Sequence, residues 1–153
     1  MKQASKRWTG FVLWLAVLTP AVTLAAAEPE DIIKYRKNAM KASGAHMAAA
    51  AAIVKGKVPF RDQLVVHARA LEQINHDNTK LFPKDSDFGD TKALNAVWEK
   101  RADFEKAART AAEKARAFAR AAAGNDLKAA EAAHKELGEA CSACHKKFRK
   151  KDE

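Results

Sequence analysis

Apolar residues recur every three to four positions along most of this chain, with polar residues between them, which is the period of an α-helix. Ile33, Met40, Met47 and Val54 stand seven residues apart, with Gly44 and Ala51 beside them. They predict a buried stripe on a helix from about Asp31 to Lys55, ended by Gly56. A second helix is predicted from about Phe60 to Leu81, with Leu64, His67, Leu71, Ile74 and Asn78 on one face. The stretch Phe82-Pro83-Lys84-Asp85-Ser86-Asp87-Phe88-Gly89-Asp90 reads as a loop from its turn residues. A third, long helix follows from Thr91 to Ala123, turning Leu94, Val97, Trp98, Arg101, Phe104, Ala108 and Phe118 inward. Gly124 closes it, and Asn125 or Asp126 caps the last helix. That helix carries Leu127, Ala130, His134, Leu137, Cys141 and His145 or Phe148 at three-to-four spacing.

Short connections between long helices favour antiparallel neighbours. The predicted fold is therefore all-α, an up-down antiparallel four-helix bundle. Composition agrees, since alanine, lysine and glutamate abound while glycine and β-branched residues are few. The alanine run at 48–52 reads as close-packed helix. Neither an internal repeat nor a domain boundary is evident within the helical body.

The first 27 residues follow a different pattern. Lys2, Lys6 and Arg7 form a positive start, Phe11 to Leu18 an apolar stretch, and Ala25-Ala26-Ala27 a small-residue cleavage signal. The expected organisation is a secretory signal peptide over 1–27 and a helical domain over 28–153. An uncleaved anchor is the alternative, because Trp8 to Ala27 is uncharged and long enough to span a bilayer. Pro20 and the alanine-rich end favour cleavage, leaving no membrane attachment. Either way the body lies outside the cytoplasm, in the periplasm for a bacterial chain.

Cleavage removes three basic and no acidic residues, so the formal charge falls from +9 to +6 over the remaining 126 residues. Export argues against nucleic acid as the reason for that charge. The basic residues are spread along helix faces except for Lys146, Lys147, Arg149, Lys150 and Lys151. Such a cluster is a solvated tail, or a field that steers an acidic redox partner.

Cys141-Ser142-Ala143-Cys144-His145 carries the chemistry. Two thiols three residues apart on a helix project to one side, one turn apart. They are spaced to form thioethers with the two vinyl groups of a haem, and the adjacent histidine to coordinate its iron. C-x-x-C-H is the attachment signature of haem c, and these are the only two cysteines. A structural zinc site wants a second pair of ligands, which is missing. A redox pair of the thioredoxin kind wants a strand before it and a helix N-terminus beneath it. A plain disulfide is the remaining alternative.

A C-terminal C-x-x-C-H on an exported four-helix chain resembles the class II c-type cytochromes, which include cytochromes c′ and the c-556 type. Tyr35-Arg36-Lys37-Asn38-Ala39-Met40 is similar to a segment of that family's first helix. Lys55-Gly56-Lys57-Val58-Pro59-Phe60 is similar to its first turn, and Cys144-His145-Lys146-Lys147-Phe148-Arg149 to its C-terminal segment. The resemblance implies one covalent haem c, no enzymatic activity, and service among other redox proteins. It also implies a possible homodimer through the first two helices.

Under this resemblance the second axial position of the iron decides the function. His145 lies roughly 8 Å from the end of its helix, Met40 roughly 14 Å and Met47 roughly 24 Å from the start of the first. In an up-down bundle Met40 is thus level with His145. Ligation by Met40 implies a low-spin electron carrier. If Met40 only guards the site, the iron is five-coordinate and binds nitric oxide or carbon monoxide, as in cytochromes c′. His67 and His134 are expected to be structural, His46 to miss the iron, and His76 to face solvent. By family position Arg36 implies a partner for a haem propionate, and Arg149, one turn beyond His145, a second support near the ligand.

Overall fold

The computed structural model describes residues 27–151. The signal segment expected over 1–27 therefore lies almost entirely outside the described residues. Four long helices form the body: α1 (Pro29–Val54), α2 (Leu64–His76), α4 (Arg101–Ala122) and α5 (Leu127–Phe148), with a single-turn α3 (Ala96–Glu99) before α4. They stand at the corners of a square in the cyclic order α1, α2, α4, α5, and each packs on its two neighbours. Facing pairs give the directions. Arg36 meets Leu81 and His46 meets His67 along α1 and the stretch from α2 to Leu81. Arg101 meets Thr79 and Arg116 meets Glu72 along that stretch and α4, and Phe104 meets Phe148 and Phe118 meets His134 along α4 and α5. All neighbours run antiparallel, so the described residues form the up-down four-helix bundle predicted.

Local chemistry explains where the helices begin and end. Pro29 opens α1 and Glu30 and Asp31 occupy its first turn, where the helix dipole favours acids. The chain leaves α1 through Gly56, whose φ of +66° suits a residue without a Cβ. Asp126 caps α5 with its carboxylate, accepting from the amides of Lys128 and Ala129. His145, Lys146 and Lys147 sit in the last turn of α5, where cations complement the dipole.

Two predicted helices are shorter than the periodicity implied. The second is helical only from Leu64 to His76, flanked by 3-10 turns at Arg61–Gln63 and Asn78–Leu81. Asn75 donates from its side chain to Leu71 O (2.8 Å), and Asn78 donates to Asn75 Oδ1 (3.4 Å). Amide side chains that bond locally compete with continuation of the helix. The third breaks at Lys100 (φ −113°, ψ 48°). Residues before that break are held elsewhere: Leu94 N donates to Phe148 O (2.9 Å), Lys150 N to Lys92 O (2.8 Å), and Trp98 Nε1 to Pro83 O (2.8 Å). Tertiary bonds override the helical propensity of 91–99.

The core has two parts. One cluster, centred on Ala50, Leu71, Ala115, Phe118 and Leu137, fills most of the bundle's length. A second, aromatic cluster of Phe82, Val97, Phe104 and Phe148 fills the end where α5 finishes. Phe118 and Leu137 are fully buried, and Ala50, also fully buried, bears out the packed alanine run.

Phe118→Ala should lower the unfolding free energy by about 3–5 kcal/mol, the range for truncating a buried phenylalanine. Asp126→Ala should cost about 1 kcal/mol through the lost cap. Urea denaturation followed by circular dichroism measures both.

Candidate functional site

The two core clusters meet at the C-x-x-C segment. Cys141 packs against the larger cluster beside Met47, and Cys144 against the aromatic cluster beside Met40. Opposite them on α1, Met40 and Met47 are partly buried, two turns apart. The Cε of Met47 lies 3.6 Å from where a Cβ on Gly138 would stand, so Met47 of α1 is seated against α5 at that residue. His134 Nε2 bonds Met47 O at 3.0 Å, which fixes the same register. Met40 and Cys144 thus pack against the same aromatic cluster from facing helices.

Both cysteines are free thiols. Burial raises the pKa of Cys141, and burial followed by the neighbouring Cys141 pushes Cys144 up to about 11. A nucleophilic or thioredoxin-like pair requires the opposite shift. These thiols stay protonated at neutral pH, which fits a pair whose chemistry is completed by attachment to a group. His145 follows on an exposed turn, and neither of its ring nitrogens hydrogen-bonds within the described residues. Partial desolvation, then the positive charge of Arg149, lowers its pKa. The neutral imidazole so favoured is the form that ligates a metal. Two unbridged thiols, a free imidazole and a facing thioether suit haem c. No cluster of three or more histidine, cysteine or acidic side chains occurs among the described residues.

Arg36 lies one turn before Met40 and is 97% buried. Its Nη1 donates to Leu81 O (3.1 Å) and Ser86 Oγ (3.0 Å), and its Nη2 to Ser86 O (2.9 Å) and Thr91 Oγ1 (2.8 Å). Its guanidinium carbon stands 4.7 Å from the Phe82 ring centre and 5.8 Å from that of Trp98. Sequence reasoning gave Arg36 a possible propionate partner; here the same donors gather the loop over 81–91, and reaching a propionate means exchanging one of these oxygens. Ser86 and Thr91, both buried, were missed as site residues. They sit in a polar, turn-rich stretch, and nothing local marks them as partners of an arginine about fifty residues away. Arg149 belongs to the same end: it forms an isolated bridge with Ala93, tying the exit of α5 to the loop.

The remaining histidines fall where expected. His134 is structural, bonded to Met47 O and edge-on to Phe118 at 5.4 Å. His76 is exposed beside Asp77. His46 and His67 face each other between α1 and α2, well along α1 from Met40.

Residues 31–149 match the family model described as cytochrome C′. The chain belongs to the cytochrome c′/c-556 family, the class II c-type cytochromes. It is 39% identical over 124 residues to cytochrome c′ of Pararhodospirillum photometricum, covering 80% of this chain and 99% of that one. It is 33% identical over 158 residues to cytochrome c-556 of Rhodopseudomonas palustris, covering 94% and 97%. Its fold superposes on the nitric oxide complex of a cytochrome c prime variant from Alcaligenes xylosoxidans with a TM-score of 0.76 at 27% identity, covering 84% of this chain and all of that one. Members of the family are non-enzymatic haem proteins, typically periplasmic. Covalent haem c is the cofactor that membership and the C-terminal C-x-x-C imply.

Arg36→Met should free the loop and leave Ser86 and Thr91 without their donor, at a cost of about 2 kcal/mol or more. Hydrogen exchange of residues 81–91 should accelerate while α4 amides near Phe118 keep their protection. Arg36→Lys should rescue little, because one ammonium cannot span four acceptors in a plane.

Proposed function

We propose that this chain is an exported electron carrier in which His145 and Met40 hold the two axial positions of a haem iron. Residues 1–27 are its cleaved signal peptide, 28–153 its cytochrome domain, and the periplasm its compartment. The observation that carries this reading is the packing of Met40 into the same cluster as Cys144, one residue from His145. When bound, haem supplies a one-electron ferric–ferrous couple. Cys141 and Cys144 anchor it by their sulfurs, His145 offers a ring nitrogen, and Met40 offers a thioether sulfur from the facing helix. Methionine ligation and aromatic surroundings both favour the reduced state.

Arg36 and Arg149 support this end of the bundle without touching the iron. Arg36 keeps the loop folded against Met40's helix, and Arg149 stabilises the neutral form of His145. Lys146, Lys147, Lys150 and Lys151 are exposed just beyond the C-x-x-C-H segment. They suit redox partners with acidic docking surfaces, which would approach where the cofactor is attached.

A second reading has its own support, since several relatives are cytochromes c′ and three structural neighbours, all cytochrome c prime variants of Alcaligenes xylosoxidans, hold nitric oxide. In it Met40 guards a five-coordinate iron that binds nitric oxide or carbon monoxide.

The visible spectrum separates them. With Met40 ligated, the ferric protein should be low-spin with the weak red charge-transfer band of methionine–iron ligation, and ferrous protein should take up carbon monoxide slowly. Met40→Ala should then convert the iron to high spin and speed carbon monoxide binding, while Met47→Ala only loosens packing. A wild-type protein already high-spin, with a spectrum indifferent to Met40→Ala, selects the gas-binding reading. Cys141→Ser with Cys144→Ser should abolish covalent haem and leave a poorly folded chain. A cooperatively folded double variant, or wild-type haem that extracts into acidified organic solvent, would refute covalent attachment as the basis of folding.

A further inference from the structure

The pair His46 and His67 takes no part in the haem site. His46 stands on α1 six residues beyond Met40, roughly 9 Å along the axis and further from the end that carries His145. His67 is on α2, and the two Nδ1 atoms approach to 3.0 Å with ring centres 5.3 Å apart. Burial, then the charge of His46, lowers the pKa of His67, which favours its neutral imidazole. One ring donates its Nδ1 proton and the other accepts. Two imidazoles from different helices with converging lone-pair positions are half of a common metal donor set.

The spacing fits a metal ion. With metal–nitrogen bonds of about 2.1 Å, two imidazole nitrogens on one ion stand about 3.0 Å apart at a right angle and about 3.4 Å apart at the tetrahedral angle. The observed 3.0 Å lies at the close edge of that range, so small ring rotations admit the ion. His67 also lines a shallow, mostly apolar cleft of about 260 Å³ between α1 and the approach to α2, together with Ala49, Ala52, Ile53, Val58, Phe60 and Gln63. The Gln63 carboxamide is the one other polar side chain there, and the cleft's opening admits water to complete the coordination.

We propose that His46 and His67 form a two-imidazole site for a borderline divalent cation such as Zn²⁺ or Cu²⁺ on the α1–α2 seam. Both Nδ1 lone pairs bind the ion. The ring that now donates its Nδ1 proton shifts to the tautomer protonated at Nε2, so no net charge is lost from the protein. A bound ion would cross-link α1 to α2 midway along the bundle, away from the iron.

Titration of tag-free holoprotein with ZnCl₂ by isothermal calorimetry tests this. The expected result is one ion per chain in the micromolar range, weakened at least tenfold by His46→Gln and by His67→Gln, and unchanged by His76→Gln. Nitrogen NMR of the wild-type histidine rings should show the largest zinc-induced shifts at His46 and His67, which keeps the test decisive should either variant fold poorly. Binding only at millimolar zinc, affinity indifferent to both substitutions, or ring shifts centred on His76 or His134 would overturn the site. None of these readouts depends on the axial ligand of the iron.

Discussion

The longitudinal register of α1 against α5 is the constraint on which the rest of this structure depends. One helix carries the thiols and His145, the other carries Met40 and Arg36, and their relative height decides which groups meet. The His134–Met47 hydrogen bond and the seating of Met47 against Gly138 hold that height two turns away from the C-x-x-C-H segment. Slippage by one turn, about 5.4 Å, would move Met40 away from Cys144 and pull Arg36 out of its ring of oxygens. Fold and site are therefore specified by the same contacts. The haem end needs no scaffold of its own.

Arg36 shows how the open end is closed. A buried cation is costly unless its donors are satisfied, and none of its hydrogen-bond partners is a carboxylate. Neutral oxygens and two aromatic faces take that role instead. Desolvation lowers its pKa, yet an arginine remains charged at any physiological pH. An uncompensated positive charge thus persists one turn from Met40. Such a charge disfavours further positive charge nearby, which on the electron-carrier reading acts in the same direction as a methionine ligand.

What the sequence disclosed and what it hid follow from range. The helical stripes, the Gly56 stop, the Asp126 cap and the C-x-x-C-H turn are local patterns, and each reappears in the structure. Helices of known rise and opposed direction leave little freedom, and Met40 and Cys144 do share one cluster. The truncations of the second and third predicted helices were not legible. They arise from the local side-chain bonds of Asn75 and Asn78, from bonds that tie Lys92 and Leu94 to residues more than fifty positions later, and from the Trp98 bond back to Pro83. Arg36's partners escaped for the same reason: Ser86 and Thr91 resemble any other loop hydroxyls until the chain folds back on α1. The His46–His67 contact was hidden too, since His67 alone reads as an ordinary stripe residue and His46 as one beside a stripe.

Relatives of this chain bear the names of both c-556 and c′ cytochromes, and one scaffold serving both has a physical basis. The bundle's larger cluster, from Ala50 to Leu137, lies along the helices away from the aromatic end and can hold the fold whichever way the iron is coordinated. The aromatic cluster meets α1 through the Arg36 guanidinium and through Met40, an unbranched and polarizable side chain. On the reading proposed above, the choice between the two functions turns on whether that one side chain holds the iron, while the register that presents it stays constant. That register lies in contacts distant from the iron, which leaves the distal position open to variation without loss of the fold.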